Sequence, residues 1–203
     1  MRPMPIFLAA LFVFAGPCFA AGPLDELRSA FTLDGKPVPP EIFRDLGDGD
    51  LGDSGPILVT VDARAAIGSN RYGDAIRRRA GWVAQSRPMA ATMNGAEETG
   101  YRYIGATRNG LLVAVAFYNG GGSGSFYTLH ILEAAVAQAF DSDGKPYERV
   151  DLTTIRSVAL GDRWEGDVTI SGDTVHIATE KAASANVAKE IEARRPMASR
   201  ACP

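Results

Sequence analysis

The strongest hydrophobic pattern in the chain begins at Tyr101, where YRYIGAT and LLVAVAFYN flank Arg108-Asn109-Gly110. Asn-Gly suits the positive φ angles of a type I′ turn, so this stretch predicts a β-hairpin. Leu111 to Tyr118 is almost continuously apolar, the pattern of a central strand buried on both faces. A third strand is predicted at Phe126 to Glu133, after the loop GGGSGS. Further β segments follow at Tyr147 to Leu152, Ile155 to Leu160, Asp167 to Ser171 and Thr174 to Thr179, the last two joined by a tight Gly172-Asp173 turn. Upstream, Ile57 to Asp62 reads as the first clear strand. Such even spacing predicts an antiparallel sheet of about six to eight strands.

Helical periodicity is confined to short pieces. Leu24 to Phe31 has apolar residues at 24, 27, 30 and 31 and stops before Asp34-Gly35 and the prolines at 37, 39 and 40. A second short helix is expected at Asp74 to Arg79. A C-terminal helix is expected at Ser184 to Arg195, with Val187 and Ile191 on one face, Glu190 and Arg194 at i,i+4, and Pro196 ending it. Ser86 to Thr99 has no period and reads as a loop, and AAVAQAF at 134 to 140 satisfies both helix and strand patterns. The predicted class is α+β, with an antiparallel core and helices near each end. No internal repeat of 20 to 50 residues is evident.

The first 20 residues are unlike the rest, because 15 of them are hydrophobic. Arg2 supplies a positive start, Ile6 to Phe14 an apolar run, and Cys18-Phe19-Ala20 a small-x-Ala cleavage site, so residues 1–20 read as a secretory signal peptide. Nine apolar residues ended by Gly16 and Pro17 fall short of the roughly 20 a spanning helix needs, so no transmembrane anchor is expected after cleavage. A lipoprotein signal is the alternative at Cys18, although Pro17 stands where lipobox sequences carry a small residue. Removing this segment takes away a single charge, Arg2, and leaves one expected domain, 21–203, of 183 residues with net charge -4. A domain of that size buries roughly 70% of its unfolded surface and holds a core without disulfides or metals. Its acidic balance, with scattered Lys and Arg, argues against a nucleic-acid partner. Cys202 is left as the lone cysteine, read as a thiol on a disordered tail, 196–203. The expected location is periplasmic or secreted.

Few segments carry chemistry. Asp45, Asp48, Asp50 and Asp53 lie among glycines, the residue types that hold calcium, and Asp48, Asp50 and Asp53 are the candidate ligands. Only Asp48 and Asp50 have the i,i+2 relation of an EF-hand loop and no bidentate Glu follows, so a solvated turn is the competing reading. Asp141 and Asp143 before Gly144 read as a plain hairpin turn. GGGSGS at 120 to 125 lacks the final glycine and the following helix of a nucleophile elbow, and it lacks the Gly-Lys of a phosphate loop. It reads as a turn where backbone approaches a ligand, with Ser123 at its tip. LGDRWEGD at 160 to 167 gathers Asp162, Arg163, Trp164, Glu165 and Asp167. Arg163 and Trp164 are recognition residue types and the carboxylates suit acid-base work; equally, Asp162 can accept backbone N–H groups, Arg163 bridge to a carboxylate and Trp164 cover the core edge. His130 alternates with Phe126, Thr128 and Leu132 in its strand and His176 sits between Val175 and Ile177, with no acid or nucleophile placed beside either, and Arg77-Arg78-Arg79 reads as a solvated helix face rather than an anionic-ligand patch.

Gly121-Gly122-Ser123-Gly124, then Phe126 to Leu129, then Leu160-Gly161-Asp162-Arg163, then Val168 to Ile177 form an ordered pattern. In it, residues 101–178 resemble a loose group of exported bacterial proteins of unknown function that share a GGSG turn, an LGDR segment and a terminal β-hairpin. The resemblance implies export and a β-rich fold and brings no activity. Members often carry a GDLNGDG-like segment just before the first long strand; DLGDGD at 45 to 50 is similar in composition but lies much further upstream. The sequence expectation is a non-catalytic binding or accessory protein of the envelope, with no catalytic residue and with Ser123, Arg163 and Trp164 at the rim that meets an envelope ligand or protein. The alternatives are a hydrolase of an envelope polymer using carboxylates and a calcium-stabilised module.

Overall fold

Strands dominate the chain because apolar residues alternate, or run continuously, over stretches too short and too β-branched for helices. The computed structural model describes residues 22–46, 59–69, 75–88, 96–178 and 187–193. The expected signal peptide, 1–20, the segment holding Asp48, Asp50 and Asp53, and the residues around Cys202 lie outside the described residues.

Seven strands form one antiparallel sheet: β3 (Thr60–Asp62), β4 (Arg77–Arg79), β5 (Trp82–Pro88), β6 (Ala96–Ala106), β7 (Leu112–Asn119), β8 (Phe126–Phe140) and β9 (Pro146–Asp162). Their order is β3-β9-β8-β7-β6-β5-β4, a meander closed at one end by the early strand β3. A second sheet, in the order β10-β11-β12, comprises β10 (Asp167–Ser171), β11 (Thr174–Ala178) and β12 (Val187–Glu192). Three short helices, α1 (Pro23–Ala30), α2 (Ile42–Asp45) and α3 (Ala63–Ser69), and the small hairpin β1 (Thr32–Leu33) to β2 (Lys36–Pro37) complete the described elements.

The large sheet is covered on both faces, and β7 shows why its sequence is apolar throughout. Leu112, Ala114 and Ala116 face one core with Leu27, Phe31, Ile42 and Phe43. Val113 and Val115 face another with Leu129, Val168, Val175 and Ile191. The helices and the small hairpin therefore lie over one face and the second sheet over the other. α1 ends at Phe31, whose φ of +53° places it in the left-handed region while its N–H donates to the Leu27 carbonyl. That backbone is sparsely populated for a bulky residue. Burial of the ring, stacked on Tyr103 and edge-on to Tyr101 at 5.2 Å each, holds it there.

Several expectations are corrected. The predicted C-terminal helix is strand β12, paired with β11 in the register Val175 to Ile191. Val187 and Ile191 are four apart, a spacing that both the helical and the strand period satisfy, and pairing with β11 decides for the strand, with Ile191 and Ala193 buried between the two sheets. In the expected helix at Asp74 to Arg79, residues 77–79 form β4, folded onto β5 by Ala80-Gly81 with φ of +50° and +81°. Two positive φ values make this the type I′ turn. Asn109-Gly110 instead belongs to a three-residue loop in which only Gly110 is left-handed, at +85°, closed by Thr107 N–H donating to the Leu111 carbonyl. Ser86 to Thr99, expected to be a loop, contributes the end of β5 and the start of β6. Its buried side chains in β6 are Glu97 and Thr99 and, just before it in β5, Gln85 is buried too, polar residues that hide the alternation. Residues 134–140 continue β8. The segments at 147–152 and 155–160 are one strand, β9, in which Ile155 is the extra residue of a bulge, since Leu132 pairs Thr154 and Ile131 pairs Arg156. The hairpin turns at Asp141 to Gly144 and at Gly172-Asp173 are found as expected. The fold is thus mostly β, with its short helices on one face.

Candidate functional site

The glycine-rich turn and the LGDR segment meet at one end of the large sheet. Ser125 N–H donates to Asp162 Oδ1 at 2.8 Å, and Arg163 N–H donates to the Ser125 carbonyl at 2.7 Å. The Asp162 carboxyl is held below the usual carboxylate range, first by the Ser125 N–H and then by Arg163, whose Nε donates to Asp162 Oδ2 at 3.1 Å. Trp164 packs in the second core with its ring 6.2 Å from Tyr127. Ser123 is exposed at the tip of the turn. Asp162 and Arg163 thus act together as a clasp for the loop, with Arg163 and Ser123 both exposed. Glu165 is exposed, while Asp167 pairs with Arg102 at 3.4 Å on the second-sheet face. Asp162, Glu165 and Asp167 line none of the cavities described below.

The concave feature beside this turn lies on the helical face, and the sequence reading missed it. A cavity of about 370 Å³ opens between α2 and strands β6, β7 and β8. Its floor is built from small or polar side chains, Thr99, Ala116 and Thr128, with His130 at the inner end. Phe43 and Arg44 descend from α2, and Tyr118 and Phe126 stand at the mouth, 39% and 59% exposed. The register brings these groups together: Thr99 pairs Tyr118, Ala116 pairs Thr128 and Tyr118 pairs Phe126 across adjacent strands. Because β8 alternates, Phe126, Thr128 and His130 share one face. Pro39 and Pro40 start the single turn of α2, accepting N–H bonds from Ile42 and Phe43, and burial of Ile42, Phe43 and Leu46 holds it against the sheet.

The two mouth rings explain two glycines of GGGSGS. A Cβ at position 120 would lie 3.3 Å from the Tyr118 hydroxyl, and one at 124 would lie 3.3 Å from the Phe126 ring. Both rings therefore lie along the turn backbone, where only glycine leaves ordinary contact distance.

His130 is 2% exposed, its Nδ1 lies 3.1 Å from Ser157 Oγ, and its ring is 5.1 Å from that of Phe43. Burial pushes its pKa down to about 4, so it is neutral near pH 7. Arg44 is the charged group lining the cavity, placed 5.6 Å over the Tyr118 ring, with Nη1 2.6 Å from Glu97 Oε1. Glu97 is almost fully buried and its other oxygen accepts from Arg87 at 2.6 Å. Two guanidinium groups share one carboxylate, which compensates the buried charge and leaves the trio one positive charge in excess. Nearby, burial and then Asp45 push the Glu41 carboxyl upward. A wider groove of about 770 Å³ between α2 and α3 also reaches Arg44, but its wall carries Glu41, Asp45 and Asp62.

The alternation in the sequence puts His130, Thr128 and Phe126 on one side of a strand, and that is the available signal. It could not supply α2, a single turn with no periodicity, nor the polar pairs of β5 and β6. Arg77, Arg78 and Arg79 are exposed, as expected, but on the edge strand β4 rather than on a helix face. Among the described residues no cluster of three or more His, Cys, Asp or Glu is placed to hold a metal ion, and no helix is long and apolar enough to cross a membrane. No family model matches the chain, and no curated protein and no solved structure matches it.

Proposed function

We propose that this chain is an exported, non-catalytic binding protein whose ligand is a small molecule with an aromatic ring and an acidic group. The observation that carries this reading is the cavity itself, which falls in the size range of small-ligand sites and combines aromatic walls with few polar groups. Phe43, Tyr118 and Phe126 offer ring faces, Thr99 and Thr128 offer hydroxyls, and Arg44 offers a fixed cation. Glu97 and Tyr118 hold that guanidinium in place before a ligand arrives, which lowers the ordering cost of binding. His130 favours binding over proton transfer, because its depressed pKa keeps it neutral and poorly suited to accept a proton at pH 7. The apolar leader supports export, and the glycine-rich turn, expected to form a recognition rim with Ser123 and Arg163, adjoins the mouth through Tyr118 and Phe126.

A panel of aromatic acids with 10 to 15 heavy atoms, 2-naphthoate among them, tests the reading by calorimetry. One-to-one binding is expected. Thr128→Phe, which fills the floor, should abolish it while far-UV circular dichroism is unchanged. Arg44→Gln should weaken 2-naphthoate about tenfold, or about 1.4 kcal/mol, and leave the uncharged 2-naphthylmethanol unaffected. Failure of the whole panel, or binding that persists in the filled variant, would reject the proposal.

A further inference from the structure

We infer that the outer half of β8 pairs with the same segment of a second copy, extending the large sheet across a twofold axis. β8 pairs with β7 only as far as Leu132, opposite Leu112, whereas its pairing with β9 continues to Phe140. Residues 134–140 therefore present one open hydrogen-bonding edge, and among the described residues no strand pairs with it. The rest of the sheet shows how edges are protected in this molecule. β4 is three exposed arginines, and β3 is three residues long. Short length and charge are standard means of preventing edge pairing. Residues 134–140, AAVAQAF, have none of them: no charge, no proline, and no shift of register against β9 beyond Leu132.

A second copy is the occupant this edge suits. An antiparallel edge is complementary to itself about a twofold axis, and a neutral segment meets no repulsion from its copy. A charged partner strand would find nothing here to pair with. The register that sets Gln138 opposite Gln138 of the copy places Val136 opposite Phe140 on one face and Ala137 opposite Ala139 on the other. Val136 and Phe140 are among the large apolar side chains left exposed, at 41% and 73%, so this register covers both twice over. The four alanines leave the strand edge flat for close approach.

Sedimentation velocity of the full chain between 1 and 200 μM, with hydrogen exchange followed over residues 132–142, tests the inference. A concentration-dependent dimer is expected, with exchange in this segment slowing as dimer forms. Val136→Lys with Phe140→Lys should shift association at least a hundredfold toward monomer, while the melting temperature measured at 1 μM stays that of the wild type. Because opposed residues in antiparallel strands have Cα atoms about 4.5–5.5 Å apart, Gln138→Cys in a Cys202→Ser background should form an intermolecular disulfide on mild oxidation. Ala134→Cys in the same background should not. A wild type monomeric at 200 μM would overturn the inference, as would a dimer that survives both lysines. Slow exchange of 132–142 in a purely monomeric sample would overturn it in favour of cover from elsewhere in the chain.

Discussion

A neutral imidazole under a cavity floor ties one residue to the pH dependence of the whole fold. His130 has its pKa lowered by burial from 6.5 to about 4, while an unfolded chain would protonate it near 6.5. Between those values the unfolded state binds the extra proton, so stability rises with pH. The contribution is complete above pH 6.5, is lost progressively as the pH falls, and is gone near pH 4. Its full size is about 3 kcal/mol. Glu41, with its pKa raised by burial, acts in the opposite sense just above its ordinary value, so the comparison has to be made between proteins. Urea unfolding of wild type and His130→Gln at pH 7 and pH 5 should show the wild type losing about 2 kcal/mol more than the variant. Equal losses would mean that the imidazole is solvated in solution. His130 was legible in the sequence as a strand residue sharing a face with Phe126 and Thr128. Its burial was not, since Phe43 reaches it from a segment 87 positions earlier in the chain.

The loop elements at the end of the sheet depend on contacts of a different kind, between backbones. Gly166 follows Trp164, and a Cβ there would collide with the Ala178 carbonyl and lie 2.6 Å from the indole. Neither neighbour can give way cheaply, because the carbonyl belongs to β11 and the indole is packed in the second core. Gly166→Ala should cost about 3 kcal/mol in chemical denaturation. Gly122→Ala, with nothing within 4 Å of the added carbon, should change stability by less than about 0.5 kcal/mol. Comparable effects at the two positions would count against the packing of Trp164 described above. The clasp made by Asp162 and Arg163 was readable from residue types, because an aspartate in a Gly-Asp turn has a standard use as an acceptor of backbone N–H groups. The demand for glycine at 166 was not readable, since it comes from a strand twelve residues further on. Strand against helix was likewise unreadable at Val187 and Ile191, where both periods fit and only pairing with β11 discriminates.

At the scale of the molecule, the meander from β4 to β9 follows from short turns and local pairing, and it is the part a sequence pattern captures best. The position of β3 beside β9 and the separation of helices from the second sheet arise from contacts distant in sequence, which no local pattern encodes. One small cluster connects the two sheets. Arg108 N–H donates to the Gly172 carbonyl at 2.9 Å, Asn109 N–H to Asp173 Oδ1 at 2.8 Å, and Asn109 Nδ2 to the Ala193 carbonyl at 2.7 Å. Ala193 N–H in turn donates to the Asp173 carbonyl at 2.9 Å. The hairpin turn of the large sheet is thereby bonded to the hairpin turn and the last strand of the second. The Asn109 N–H, then Arg108, hold the Asp173 carboxyl below its ordinary value, so its contribution is present above about pH 4 and is lost as the pH falls through the lowered value. Asp173→Ala removes the acceptor at any pH. Amide exchange at 108–111, 172–174 and 193 should accelerate at least tenfold, while exchange in β3 and β4, at the two edges of the large sheet, stays within twofold. Acceleration spread evenly over both sheets would mean instead that they open as one cooperative unit and that the cluster adds only to global stability.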